Sequence, residues 1–409
     1  VTAKPANTLT PYLIAQGTQF AAGGMMAVIF PWLIVHELHE SQMRVGLAQA
    51  LVNLPFLFLI LVAGAVADGR DLRRFLPRIQ LAMAMFPILL ALIIAVQGLS
   101  FFSATALLFV MSVFGSFATP ARDALLSHVT PHSLGIARAS ALAVAATFGG
   151  QVLGTLAAAS ASSIGAVPLL ACQSALLVVS ALMTARLVLV TPFILKSDAE
   201  GPRTKLLDDL LDGLRVTWSS ERLRTLILYL ILGAPLFNGM FLVGVPLMVR
   251  DVFHGSSAML SILITAFLIG LTVSSFAFSR QRPVERPGRL LMLLSTNNVL
   301  VFVLAHFTQS SEFFAVLMLA WGLTSGVAMS LTRGMIQIAA PHAYRARVMS
   351  MLQFSQMAGG PLGALLFGFA AQAVGILNTV LIIPVSVISM WLIFRFTTRL
   401  WDFRSEEAS

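Results

Sequence analysis

Twelve apolar runs, each about 20 residues long, follow one another along the chain with the charged residues gathered in short groups between them. An α-helix rises 1.5 Å per residue, so ~20 residues span the ~30 Å of a bilayer's hydrocarbon. The backbone in such a run must satisfy its N–H and C=O groups internally, which selects helix, and the runs are too long and too evenly apolar for barrel strands. They lie at 12–35, 46–67, 76–97, 101–121, 139–160, 166–189, 225–249, 258–279, 289–307, 313–332, 348–370 and 375–396. Charged residues are 11% of the chain, against about 25% in ordinary soluble proteins, too few to coat a water-exposed surface. The expected fold is therefore an all-α polytopic membrane protein with twelve transmembrane helices.

Several other classes are excluded on the same grounds. The single cysteine, Cys172, sits inside an apolar run, which leaves no disulfide framework and no cysteine zinc site. A net charge of +9 raises nucleic acid as a partner, but the basic residues are scattered between spans rather than gathered on one face. The first residues, VTAKPANTLT, lack the pattern of a secretory signal, so the first apolar run is expected to be a true span. HELHE at 36–40 does not have the His-Glu-x-x-His spacing of a zinc protease and reads as the polar end of span one; no metal site or cofactor is expected.

Orientation follows from the basic residues. With the N-terminus in the cytoplasm, all but Arg44 and Arg250 of the 26 Lys and Arg fall on the inner side, as the positive-inside rule requires when both termini are cytoplasmic. The longest polar stretch separates two halves, 1–190 and 225–409. Within it Leu206, Leu207, Leu210, Leu211 and Leu214 recur at helical spacing opposite Asp208, Asp209, Asp212 and Arg215. That pattern predicts an amphipathic linker helix on the inner membrane surface within 191–224.

The halves repeat one another. Arg122 answers Arg333, Pro131-His132 answers Pro341-His342, Arg138 answers Arg347, and Gly150 and Gly154 answer Gly359 and Gly363 at nearly constant offset. Parallel six-span repeats imply a substrate path between halves near mid-bilayer.

Twelve spans, the 6+6 repeat and a 2–3 loop reading GAVADGRDLRRFL resemble the major facilitator superfamily. The loop matches its signature through Gly64, Asp68, Arg70, Arg73 and Arg74, although Gly69 stands where a basic residue usually follows the Asp. TPARDALL after span four, PWLIVHELHES closing span one and ERPGRLLMLLST entering span nine are similar to the enterobactin-exporter, or transmembrane secretion effector, branch. The resemblance implies a latch at Asp68 and its arginines that stabilises one arrangement of the halves by charge-assisted hydrogen bonds. It also implies a monomer and a proton-coupled cycle.

Candidate residues come from the polar groups inside spans, since each is costly in lipid and is expected to face protein or water. Gln16, Gln19, Asn53, Gln151, Asn238, Gln353 and Gln356 outline a neutral cavity, lined also by Phe20, Phe56, Phe237, Met240, Phe241 and Phe354. Arg122 and Arg333, read as ending spans four and ten, are gate candidates. No carboxylate sits at mid-membrane in the sequence, so the proton-coupling candidates are peripheral: Glu37, Asp123 and Asp251.

The function expected from these readings is secondary active export of an amphipathic or hydrophobic organic compound, siderophore- or drug-like, by alternating access across a bacterial inner membrane. A lysophospholipid flippase or a uniporter is the alternative. No phosphate-binding glycine loop is visible, so ATP is not the expected energy source. An intramembrane enzyme lacks an apposed nucleophile and base or metal ligands.

Overall fold

A computed structural model describes residues 9–68, 70–131, 135–190, 214–281, 284–341, 344–398 and 400–403. The linker at 191–224, expected to hold an amphipathic helix, lies outside them as far as residue 213, as do His132 and His342 of the repeat. All secondary structure among the described residues is helical: α1 (Leu9–Trp32), α2 (Gln42–Asp68), α3 (Leu72–Ala95), α4 (Phe101–Val129), α5 (Ile136–Ala158), α6 (Ala166–Ala185), α7 (Glu221–Gly239), α8 (Ser257–Ser279), α9 (Pro287–Phe307), α10 (Ser311–Ala339), α11 (Arg345–Val374) and α12 (Ile382–Thr397). Eleven helical segments among the described residues are long and apolar enough to cross a membrane.

Local chemistry sets the helix ends. Asp71 caps α3 by accepting from the Arg73 N–H, and Ser100 forms a reciprocal capping box with Ser103 at the start of α4. Gly165 and Gly375, at φ 82° and 81°, make the turns before α6 and before the short helix Ile376–Val380, a conformation glycine adopts without steric cost.

Helices α4 and α10 run further than their apolar runs, to Val129 and Ala339. Arg122 and Arg333 therefore lie inside their helices rather than at the ends, because residues such as Ala, Leu and Ile carry the helix on after the apolar stretch stops. Termination comes only near Pro131 and Pro341, which cannot continue a helix.

α1 and α7 each pass into a five-residue π-helical turn, Leu33–Glu37 after Pro31 and Met240–Gly244 before Pro246. Such turns widen a helix locally and often mark functional segments.

By contacts the chain divides into two compact units. The first comprises Val1–His39, Leu51–Glu200 and Ser256–Ser261; the second comprises Glu40–Ala50, Gly201–Gly255 and Ile262–Ser409. In the first, Tyr12, Leu72, Leu76, Leu125, Val129 and Leu177 belong to one buried cluster. α5 packs on α1 through glycine: a Cβ on Gly150 or Gly154 would run into the backbone of Gly17 or Ala21. In the second, Leu226, Met292, Ile336, Leu352 and Phe394 form the corresponding core. There Gly363 of α11 meets the backbone of Pro235 and Gly239, and Gly359 meets Ala234. Close helix approach over small residues supplies dispersion contacts where lipid offers no hydrophobic driving force.

Candidate functional site

Tyr12, Gln16 and Phe20 are spaced four residues apart and so share one face of α1. The Tyr12 hydroxyl donates to the Arg122 carbonyl of α4 at 3.3 Å, and the Arg122 guanidinium lies over the Phe20 ring at 4.7 Å from its centroid. Between these contacts, the Gln16 amide nitrogen donates to Thr147 Oγ1 of α5 at 2.7 Å, and Thr147 passes a bond on to the Ala143 carbonyl. Three helices thus converge on one polar cluster.

The cluster is buried and only half satisfied. Arg122 is 8% exposed and Gln16 6%. The nearest carboxylate to Arg122 is its neighbour Asp123, at 3.7 Å from Nε, beyond hydrogen-bond length. Arg122 Nε and Gln16 Oε1 are both buried without a hydrogen-bond partner. Removing a guanidinium from water costs several kcal/mol unless its donors are met, roughly, and an orphaned buried polar atom costs about 1–3 kcal/mol more. The packing of α1, α4 and α5 thus leaves one donor and one acceptor unmet in a single cluster.

The other candidates separate. Gln19 accepts from Gln80 of α3 at 2.7 Å, Gln80 also donates to Ser180 of α6 at 2.9 Å, and Ser180 donates to the Ala15 carbonyl at 2.8 Å. This chain ties α1, α3 and α6 together. The Asn238 amide donates to Ala234 in its own helix at 2.9 Å. Met240 is fully buried in its π-turn against Gly244. Asn53, Gln151 and Gln356 are half-buried, while Gln353 and Phe354 are exposed.

The second unit holds an aromatic assembly. Trp321 of α10, 2% exposed, is ringed by Phe267 at 4.6 Å, Phe302 at 5.2 Å, and Phe237 and Phe241 both at 6.3 Å between ring centroids. Tilted and edge-on geometries of this kind add to the area these rings bury. Phe56 belongs elsewhere, packing near Gly115 of α4. Asn298, next to this group, accepts from Thr324 Oγ1 at 2.7 Å and serves the α9–α10 contact.

At the 2–3 loop, Arg73 and Arg74 lie 3.5 and 3.7 Å from the carboxylate of Asp71, and Arg70 lies over Phe75 at 4.8 Å. The side-chain surroundings of Asp68, and of Gly64, fall outside the described residues. Arg333 is exposed where its sequence counterpart Arg122 is buried, so the two repeat arginines occupy different environments.

Among the proton-coupling candidates, Glu37 is exposed at the end of its π-turn and lines a pocket of 270 Å³ with Leu99 and Pro168. Asp123 is two-thirds exposed beside Arg122. Asp251 is held by Arg250 and by the Gln42 amide at 2.7 Å, while Arg250 also reaches the Glu40 carbonyl at 2.7 Å. No group of His, Cys, Asp and Glu able to hold a metal occurs among the described residues.

Sequence reasoning missed Tyr12, Thr147, Gln80, Ser180 and Trp321. Tyr12 was detectable, one helical turn from Gln16 on the same face. Gln80 stands as one amide in an apolar run and carries no mark that distinguishes packing from binding.

The transmembrane secretion effector family matches residues 14–409. The multidrug efflux pump Tap of Mycolicibacterium fortuitum is 25% identical over 403 residues, covering 95% of each chain. Among solved structures, the nucleoside transporter NupG superimposes with a TM-score of 0.74 at 16% identity over 97% of this chain and 100% of that one. A bacterial homologue of the human lysosomal transporter Spinster, in an inward-facing conformation, does so with 0.70 at 14% identity over 100% and 98%. With its helical membrane architecture and a match spanning nearly its full length, the chain belongs to the transmembrane secretion effector family of major facilitator-type membrane transporters.

Proposed function

We propose that this protein is a secondary active exporter of small amphipathic organic compounds, drug- or siderophore-like, working by alternating access. It would span a bacterial inner membrane twelve times as two six-helix repeats, with both termini cytoplasmic. The observation that carries this reading is the buried Arg122–Gln16 cluster, where a guanidinium donor and an amide acceptor are left without partners. When the helices part during the cycle, a compound with a polar head bearing acceptor and donor groups and an apolar or aromatic body would supply the partners these atoms lack. The efflux pump among its relatives supports an outward direction and a drug-like cargo.

Energy coupling in this proposal is to protons, with Glu37, Asp123 and Asp251 as the carboxylates that exchange them. Lipid surroundings penalise a charged carboxylate, so a group at the edge of a span changes protonation as its access to water changes.

The test is substrate-stimulated proton movement in proteoliposomes loaded with a pH dye, screened over siderophores, lysophospholipids and lipophilic drugs. Export coupled to protons gives a pH change that follows one compound and disappears in one of Glu37→Gln, Asp123→Asn or Asp251→Asn. Compound movement without a pH change rejects proton coupling and leaves a uniporter. Absence of any compound movement rejects the export reading.

A further inference from the structure

At one end of the second unit, two arginines from different helices meet on a single tryptophan. Arg289 in the first turn of α9 lies 5.2 Å from the Trp401 ring centroid, and Arg395 in the last turn of α12 lies 5.3 Å from it. The two charges are therefore no further apart than those distances together. Neither pairs with a carboxylate among the described residues; their contacts are with aromatic rings, Arg395 also approaching Phe396. Trp401 packs edge-on against Trp391 of α12, with centroids 6.2 Å apart, and the Trp391 indole N–H is buried without an acceptor. Two guanidiniums on one indole concentrate positive charge at a single place, which suits an anion with several acceptor oxygens.

Apolar surface continues from both arginines toward the middle of the bilayer. On α9, Leu293 and Leu300 are exposed at four and eleven residues beyond Arg289; on α12, Leu392, Ile388 and Val385 are exposed at three, seven and ten residues before Arg395. These spacings keep each stripe on the face that carries its arginine. A nearby pocket lined by Ser220, Glu221, Arg222 and Asp402 carries carboxylates, which disfavours an anion there and directs it to Arg289 and Arg395.

We infer that Arg289, Arg395, Trp391 and Trp401 form a binding site for an anionic phospholipid, its phosphate held by the two guanidiniums and its acyl chains lying along the α9 and α12 stripes. Arginine forks match phosphate oxygens, tryptophan sits at the level of headgroups, and basic sites on the cytoplasmic face are where anionic lipids concentrate. A free phosphate would use the guanidiniums but leave both apolar stripes without a role. The inference stands independently of what the protein transports.

The test uses the purified full-length chain in detergent. Native mass spectrometry compares retention of phosphatidylglycerol and phosphatidylcholine with identical acyl chains, in the wild type and in the Arg289→Gln/Arg395→Gln double variant. The expected result is a preference of about tenfold or more for phosphatidylglycerol in the wild type, abolished in the double variant. It is retained in Arg138→Gln/Arg280→Gln, which removes equal charge elsewhere. The Arg289→Lys/Arg395→Lys variant keeps the charge and so most of the preference, and it serves if the glutamine variant does not fold. Equal retention of the two lipids by the wild type overturns the proposal, as does equal loss of preference in both charge-removing variants. Displacement of the lipid by inorganic phosphate at comparable concentration also overturns it, by making this a free-anion site.

Discussion

Gly149 and Gly150 are neighbours on α5, yet the structure predicts opposite consequences when each becomes alanine. A Cβ added at Gly149 meets nothing within 4 Å, whereas one at Gly150 lies 2.9 Å from the Gly17 carbonyl carbon and 3.0 Å from its Cα. Carbon atoms rest at about 3.5–4.0 Å, so α1 and α5 must part by roughly 0.5–1 Å, a gap that forfeits a quarter to a half of each dispersion contact along the seam. The obstructing atoms are backbone and have no rotamer to change. Overpacking of this kind costs about 1–3 kcal/mol. Gly149→Ala, by contrast, relieves the conformational freedom of a mid-helix glycine and gains roughly 0.5–1 kcal/mol. The two variants should therefore differ by about 1.5–4 kcal/mol, at least a tenfold difference in the folded fraction's equilibrium constant. Equilibrium unfolding in mixed micelles with increasing dodecyl sulfate, followed by circular dichroism, measures the difference. The reasoning is refuted if Gly150→Ala is as stable as the wild type, or if Gly149→Ala is destabilised equally.

Other substitutions test other contacts. Trp321→Ala removes the centre of the aromatic assembly and should destabilise by about 3–5 kcal/mol in the same unfolding experiment; a loss below about 1 kcal/mol would mean that the surrounding phenylalanines collapse into the space. Gln80→Leu strands the Gln19 carbonyl and a lone pair of Ser180 and should cost about 1–3 kcal/mol, whereas Gln80→Glu, able to accept but not donate when ionised, should do no better. Asp71→Ala takes the cap from α3 and should cost about 1 kcal/mol, read by the same titration; an unchanged midpoint would show that another group caps the helix.

The helix positions were legible in the sequence because hydrocarbon thickness and the backbone's need for internal hydrogen bonds leave few options. Each of the twelve apolar runs falls largely within one described helical stretch. The misjudged ends were those of spans four and ten, where apolarity stops before helix propensity does. Hydropathy locates the lipid boundary, while proline at 131 and 341 locates the helix end. The π-turns at Leu33–Glu37 and Met240–Gly244 were not legible, since one extra residue in a turn leaves no compositional trace.

The candidate site was legible in part. Gln16 and Phe20 were singled out as polar or aromatic residues within an apolar run, and Arg122 as the end of span four answered by Arg333 in the second half; they come together in the structure. Gln19 was selected on the same ground and is used in packing against Gln80. An amide in a span reports only that a partner exists; whether that partner is another helix or a ligand depends on which neighbours the fold supplies. The difference between buried Arg122 and exposed Arg333 was likewise invisible, because the repeat matches residue types and not their surroundings.

Dye translocation in proteoliposomes tests the central claim most directly. Purified wild type and Arg122→Gln would be reconstituted at equal density with a lipophilic fluorescent drug analogue inside the vesicles and a proton gradient across them. Because Arg122→Gln also gives up the stacking on Phe20, its unfolding midpoint is measured in parallel and efflux is compared at equal amounts of folded protein. The account predicts wild-type efflux well above that of protein-free vesicles, reduced about tenfold or more in Arg122→Gln, the loss expected for one charge-assisted hydrogen bond to the cargo. Wild-type efflux no faster than from empty vesicles across a panel of amphipathic drugs, or undiminished efflux by Arg122→Gln, would contradict it.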